Sequence, residues 1–269
     1  MTHRLTGHPL FALERLVTLA ASLPPASVEY NAGDLARGYE GQPTPGNGLT
    51  AEATIRGIEQ HNSWMVLQNV EHDPEYRALL QSCLDDLAAG SPALRRRIRQ
   101  PEAYLFVSSA GAVTPYHMDP EQGFLLQVRG RKRIRLFDGA DPRILDAGAI
   151  EQFYSGVTHR SMTLPASVVP LGRTFELTEG DGVHVPPTHP HFVEVDGGGY
   201  SVSLSVTFRT PDLRRRADIH YFNGFLRSRG FTPARPGASR LTDPAKRVAG
   251  RLLRNLRRFK SSSRPKKSY

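Results

Sequence analysis

The chain has 269 residues, of which 39% are hydrophobic, and this content predicts a sizeable core rather than a disordered protein. No stretch is long and apolar enough to predict a transmembrane helix. The single cysteine, Cys83, excludes an internal disulfide and favours a reducing compartment, hence the cytoplasm.

The formal net charge of +9 is concentrated near the C-terminal end of the sequence. Residues 241–269 hold ten lysines and arginines and a single acidic residue, so the remaining residues are close to neutral in sum. If the protein contacts nucleic acid or an anionic membrane, this segment and not the whole surface is expected to make the contact.

Residues 1–100 are predicted to form helical and extended segments that pack on a later barrel. Apolar residues recur at helical spacing over 9–22, and Glu14 and Arg15 interrupt them, which predicts an amphipathic helix rather than a signal peptide. Residues 31–50 are rich in Gly, Pro and Asn and are predicted to be a loop.

The following elements have recognisable start signals. Thr50 is a plausible cap for a short helix, residues 63–70 form an apolar β-type run, and Asp73 can cap a second helix. Cys83 belongs to the apolar stripe of that second helix, so we expect it to be a core residue and not a catalytic thiol.

The second part of the sequence consists of short β-type runs separated by Gly, Pro and Asp turns, which is typical of a sandwich or small barrel. We therefore predict a barrel over residues 101–210 and further helices over residues 211–260. Residues 261–269 are predicted to be a disordered basic tail. Residues 31–50 and 138–175 are expected to be loops that shape a substrate entrance.

The segment TPYHMDP places His117 and Asp119 two residues apart, so in a strand both side chains point to one face and could bind one metal ion. The preferred third ligand is His191, although His184 and His189 lie close to it in sequence. Two histidines and one carboxylate form the facial triad of non-haem Fe(II) oxygenases. An isolated His-x-Asp is more often a polar turn at the surface.

Lys132 is unusual because it shares a predicted strand face with Ile134 and Leu136. The other face of this strand carries the arginines, Arg131, Arg133 and Arg135. A lysine inside a barrel is costly unless it meets an anion, and a dicarboxylate cosubstrate would supply one. The alternative is an edge-strand lysine whose ammonium reaches solvent.

The run YSVSLSVTF alternates between apolar and small polar residues. The small polar residues on one face are Ser201, Ser203, Ser205 and Thr207. Such a face would suit the wall of a cofactor cavity, and a solvent-facing surface is the alternative explanation.

The segments HMDPEQGFLLQVRGRKRIRLF and GDGVHVPPTHPHFV resemble, in the same order, two signatures of the JmjC-type 2-oxoglutarate-dependent oxygenases. The resemblance is particularly to the protein hydroxylases related to the asparaginyl hydroxylase of the hypoxia pathway, and it covers about residues 104–208. In the second signature, Thr188 and His189 stand where the family commonly has Gly and Trp. The residues that match the first signature are Thr114, His117, Asp119, Phe124, Gln127, Val128, Gly130, Lys132, Arg133, Leu136 and Phe137.

This resemblance implies an α+β fold with a mainly β core, namely a double-stranded β-helix, or cupin-like jelly-roll barrel, wrapped by N- and C-terminal helices. It implies that His117, Asp119 and His191 bind Fe(II). The implied activity is a dioxygenase that hydroxylates a C–H bond of a protein or peptide side chain, with demethylation less favoured. The alternatives are the same chemistry on a small molecule and a cupin-type binding or regulatory protein without turnover.

The same resemblance implies a site for the cosubstrate 2-oxoglutarate. Lys132 matches the family position that binds its distal carboxylate, and Thr114 matches a hydroxyl that hydrogen-bonds the same group. Ser205 aligns roughly with a family residue near the metal.

Near the C-terminal end, apolar residues recur at helical spacing among basic residues, which predicts an amphipathic basic helix. These apolar residues are Val248, Leu252, Leu256 and Phe259. The helix could pack on the body or on a second subunit of a homodimer, contact nucleic acid, or lie on an anionic membrane. The sequence leaves these possibilities open.

Overall fold

The computed structural model describes most of the chain, namely residues 1–38, 45–156 and 162–262. The chain divides into two compact units: the first comprises residues 1–140 and 161–209, and the second comprises residues 141–160 and 210–269. Residues 263–269, which make up most of the predicted disordered tail, lie outside the described residues.

The described part of the first unit is built on two antiparallel sheets. The first sheet contains, in spatial order, β1 (Val28–Ala32), β2 (Ser63–Gln68), β3 (Arg99–Ser108), β10 (Ser201–Arg209), β5 (Gln122–Arg129) and β8 (Gly182–Val185). The second contains β4 (Val113–His117), β9 (His191–Val195), β6 (Lys132–Leu136) and β7 (Arg173–Leu177). From β3 onward the chain passes repeatedly from one sheet to the other, as in a jelly roll. The predicted α+β fold with a cupin-like β core is confirmed.

The helices of the first unit are α1 (Leu13–Ser22), α2 (Ala51–Arg56), α3 (Pro74–Ala88) and α4 (Pro92–Arg95). The predicted caps are confirmed, because the Thr50 side chain accepts a hydrogen bond from the Ala53 amide at 3.1 Å and Asp73 caps α3. The prediction of one helix over 9–22 is wrong at its start. Pro9–Phe11 form a separate 3-10 turn, and the extended backbone of Ala12 separates it from α1.

Helices α1, α2 and α3 cover one face of the larger sheet and form the main core with it. Leu16, Ile55 and Leu105 are completely buried in this core. Cys83 packs against the same core, and burial raises the pKa of its thiol to about 11, so the predicted core position is confirmed.

Strand β10 has two buried faces. Its apolar face, which includes Val206, belongs to the main core, while Ser201 and Ser203 on the other face are completely buried as well. The Ser203 hydroxyl donates to Gln127 Oε1 at 2.7 Å, and Gln127 donates to the Ser201 hydroxyl at 2.9 Å. The small polar face therefore lines the interior of the barrel and is not a solvent-facing surface.

The described part of the second unit consists of helices α5 (Ala147–Ser155), α6 (Pro211–Arg227) and α7 (Thr242–Ser262). The expectation of a loop over 138–175 is wrong because this range contains α5 and the start of β7. Asp146 caps α5 by accepting from the Ala149 amide at 2.9 Å, and Gly156 ends it in a left-handed conformation. None of the helices within the described ranges is both long and apolar enough to cross a lipid bilayer.

Helices α6 and α7 approach closely at Gly250, where an added Cβ would lie 1.9 Å from the Asp218 carbonyl oxygen. Alanine normally stabilises a helix relative to glycine by about 1 kcal/mol. Here Gly250→Ala is expected to lower the free energy of unfolding by about 1–3 kcal/mol, because the backbones must separate. Urea-induced unfolding checks this, with Gly90→Ala as the control, since nothing lies within 4 Å of a Cβ added there. A Gly250→Ala protein as stable as the wild type would contradict this packing.

Candidate metal centre

The pairing of β4 with β9 brings the first and second predicted signatures together. In this register His117 lies opposite His191, and the centroids of the two imidazole rings are 4.2 Å apart. The pairing of β6 with β9 places Leu136 opposite His191 from the other side. Two histidines that are far apart in sequence therefore face the interior of the barrel as neighbours.

Asp119 lies in the turn between β4 and β5 and completes the cluster. Its Oδ2 atom is 3.8 Å from Nε2 of His117 and 3.8 Å from Nε2 of His191. One ligand atom from each of the three residues lies within 4.8 Å of the others. The backbone oxygen of Asp119 accepts from the Thr188 amide at 2.7 Å, and Thr188 has a φ of 59°. This left-handed conformation explains why glycine suits that position in the family.

Both imidazoles are oriented by backbone carbonyl groups. Nδ1 of His117 is 2.7 Å from the Pro115 oxygen, and Nδ1 of His191 is 3.0 Å from the His189 oxygen. A carbonyl oxygen can only accept, so Nδ1 carries a proton in each ring, and Nε2 is the nitrogen that remains to bind a metal. Two such nitrogens and a carboxylate oxygen fit a divalent transition metal such as Fe(II).

The two alternative histidines lie outside this cluster. Nε2 of His184 is 2.7 Å from Gln122 Oε1, and its ring stacks on Phe124. His189 lies beside Asp138, with Nε2 3.5 Å from a carboxylate oxygen. In the part of the chain that the structure describes, the potential metal-binding cluster contains neither of them.

Lys132 is only 4% exposed and lies on β6, between β7 and β9, so it is not an edge-strand lysine whose ammonium reaches solvent. Its ammonium is 5.6 Å from the centroid of the Phe106 ring. Among the described residues no carboxylate forms an ion pair with it, and burial lowers its pKa to about 7. A buried cation with such surroundings would be stabilised by the carboxylate of a bound anionic ligand.

One cavity between the two sheets contains all the predicted site residues. They are His117, Asp119, His191, Lys132, Thr114 and Ser205, and their individual roles stay predictions. The remaining lining is largely apolar, and includes Phe106, Leu125 and Ile134.

Glu121 also lines this cavity and was not predicted from the sequence. It is 7% exposed and forms an ion pair with Arg209 at the end of β10. The alternation from His117 through Asp119 to Glu121 contained a signal for it. Its partner could not be found this way, because Arg209 is brought close only by the pairing of β10 with β5.

The geometry defines a jelly-roll barrel with a His-Asp-His cluster, and the comparison with known families agrees with it. Residues 47–216 match the family described as the cupin-like domain, and the chain belongs to this family. A relative, the JmjC domain-containing protein D of Dictyostelium discoideum, is 27% identical over 135 residues, which are 48% of this chain and 29% of the relative. The predicted resemblance to the JmjC-type class is confirmed. The narrower resemblance, which is to the asparaginyl hydroxylase of the hypoxia pathway, stays a prediction.

Solved structures with a similar arrangement include those of E. coli YcfD. The X-ray structure of this protein is 19% identical, with 90% of this chain and 60% of that chain covered and a TM-score of 0.48. A second structure, described as the ribosomal oxygenase YcfD in complex with cobalt and 2-oxoglutarate, is 19% identical, with 90% and 58% covered and a TM-score of 0.45. The chain thus spans less than two thirds of the length of these structures and less than one third of the curated relative.

The geometry predicts that His191 is required for metal binding and that His184 is not. Substituting His191→Ala removes one of three ligands and should weaken Co(II) binding by roughly 100-fold or more, since changes even around the ligands cost 10–100-fold. An anaerobic titration followed by the visible absorption of Co(II) measures this. The control, His184→Ala, should bind Co(II) like the wild type. Equal losses in both variants would contradict the assignment.

Proposed function

We propose that this protein is an Fe(II)- and 2-oxoglutarate-dependent oxygenase that acts in the cytoplasm and hydroxylates a C–H bond of a protein or peptide side chain. The observation that carries the proposal is the buried ammonium of Lys132 in the same cavity as the two imidazoles and the Asp119 carboxylate. A metal-binding cluster alone would suit many cupin-type binding proteins. A buried cation beside it suits an anionic cosubstrate.

In this proposal, His117 and His191 would hold Fe(II) through Nε2, and Asp119 would hold it through a carboxylate oxygen. When bound, Fe(II) with 2-oxoglutarate and dioxygen supplies the oxidising power needed to hydroxylate a C–H bond. The contribution of the chain is to keep the three ligands on one side of the metal. The backbone carbonyls behind both rings fix their tautomers, so that little rearrangement is needed when the metal binds.

Lys132 would pair with the distal carboxylate of 2-oxoglutarate, and the Thr114 hydroxyl would donate a hydrogen bond to the same group. Ser205 would contribute a second hydroxyl on the opposite wall of the cavity, since it lies on β10 in the other sheet. Ion pairs formed in such a largely apolar cavity are stronger than in solvent. Phe106 and Ile134 would help to exclude water from the site.

The proposal names the substrate only by class. A protein or peptide side chain is favoured because the sequence resembles protein hydroxylases more than demethylases, and the alternative is a small molecule. Mass spectrometry of a deletion strain against its parent separates these alternatives. A protein that loses the mass of one oxygen atom at one side chain supports the first, whereas a metabolite that loses it supports the second.

Whether this protein is an enzyme or a binding protein can be tested without knowing its substrate. With Fe(II) and 2-oxoglutarate under anaerobic conditions, the wild type is expected to show a weak visible charge-transfer band and, in air, to release succinate slowly. His117→Ala should lose both signals because a metal ligand is removed, while His184→Ala should keep both. A wild type without band and without succinate would contradict the oxygenase proposal.

The lowered pKa of Lys132 predicts a pH dependence of cosubstrate binding. Above pH 7 the free protein loses the Lys132 proton, because burial lowers its pKa to about 7. In the complex, pairing with the carboxylate would keep Lys132 protonated. Binding therefore takes up a proton, and the affinity should fall about tenfold per pH unit between about pH 7.5 and 9. Calorimetry in buffers with different ionisation heats measures both effects.

The matched control for this prediction is Lys132→Arg, because a guanidinium stays charged throughout this pH range. Its affinity for 2-oxoglutarate, whatever its absolute value, should not depend on pH between about pH 7.5 and 9. A wild-type affinity that is equally flat would contradict the pairing of Lys132 with the cosubstrate.

A further inference from the structure

Helix α7 is packed within the second unit through one of its sides. Gly250 on this side allows the close approach to α6, and the Arg254 guanidinium forms an ion pair with the buried Asp218 carboxylate, with 2.6 Å between Nη2 and Oδ1. Leu253 on the same side is half-buried. This side of α7 therefore has its partner inside the protein.

Another side of α7 exposes an apolar stripe. Val248, Leu252 and Leu256 are spaced four residues apart, so they lie on one side of the helix, and they are 58%, 59% and 59% exposed. Leu241, which directly precedes the helix, is 90% exposed. Four of the seven exposed large apolar residues of the described chain thus lie in this helix or directly before it, and such a stripe generally marks an interaction surface.

The surroundings of the stripe are strongly basic. Arg247 and Arg251 border it on one side, and Arg251 is exposed. After Asp243 the helix contains no acidic residue. Helix α6 adds three consecutive exposed arginines, residues 214–216. A partner must therefore bury aliphatic side chains and carry negative charge at the same time.

We propose that the exposed side of α7 binds to the surface of an anionic lipid bilayer, with the leucine stripe in the headgroup region and the arginines against lipid phosphates. A nucleic acid would satisfy the arginines, but its phosphates would leave Leu252 and Leu256 without an apolar environment. A second copy of the chain would bury the stripe, but it would bring two basic surfaces together. An anionic membrane satisfies both features, and amphipathic helices of this composition lie in its interface.

Sedimentation of the full-length protein with vesicles tests the proposal. The wild type should bind vesicles that contain about one third phosphatidylglycerol at least tenfold more strongly than vesicles of phosphatidylcholine alone. The double variants Leu252→Ser with Leu256→Ser, and Arg247→Gln with Arg251→Gln, should each weaken this binding by tenfold or more. Added salt should also weaken the binding of the wild type to these vesicles.

Two matched controls make the result specific. Phe231→Ser removes an apolar side chain of similar exposure, 61%, that is not part of α7, and it should leave binding unchanged. Replacing both arginines with lysine keeps the charge and should also retain binding. An unfolding temperature equal to that of the wild type would show that each variant is folded.

Three outcomes would overturn the proposal. The first is vesicle binding that the leucine variants do not reduce. The second is binding to an RNA oligomer that exceeds vesicle binding and does not depend on the leucines, which would indicate a nucleic-acid surface. The third is a wild-type dimer, detected by light scattering, that the leucine variants dissociate, which would indicate a second copy as the partner.

Discussion

The register of strand β9 determines the geometry of the whole site, because this strand pairs with β4 on one side and with β6 on the other. The first pairing places His191 opposite His117, and the second places Val195 opposite Lys132. A shift of one residue would turn alternate side chains to the opposite face and would remove His191 from the cavity. The metal cluster and the buried cation therefore depend on one set of backbone hydrogen bonds.

The two faces of the larger sheet have different roles, because one forms the main core and the other lines the interior of the barrel. The outer face packs against α1, α2 and α3, and side chains such as Leu16 and Leu105 are completely buried there. Burial of side chains of this size contributes about 1.5–3 kcal/mol each. Because the outer face supplies this core, the inner face can carry polar groups that are costly to bury, such as Ser203 and Gln127.

How much of this protein could be predicted from the sequence depends on whether each feature is a local pattern or arises from contacts between distant segments. The helix caps at Thr50 and Asp73 and the pair His117 and Asp119 are local patterns, so they were found directly. His191 was the preferred third ligand from its own segment and was supported by the resemblance, but its approach to the other two depends on strand pairing with a distant segment. Helix α5 had a local signal in Asp146 and Gly156, but it lies in a stretch rich in loop-forming residues. The partnership of Glu121 with Arg209 had no local signal, because it depends on tertiary pairing alone.

Helix α7 shows why periodicity does not identify the buried side of a helix. The apolar stripe is the side that sequence patterns would assign to the interior. The structure buries instead the side with Gly250 and Arg254, where the missing side chain permits backbone contact and the guanidinium pairs with Asp218. Close packing and a buried ion pair have fixed the orientation, and the leucines remain outside. The exposure of the stripe is thus a consequence of specific contacts elsewhere on the helix, which no short-range hydrophobic pattern records.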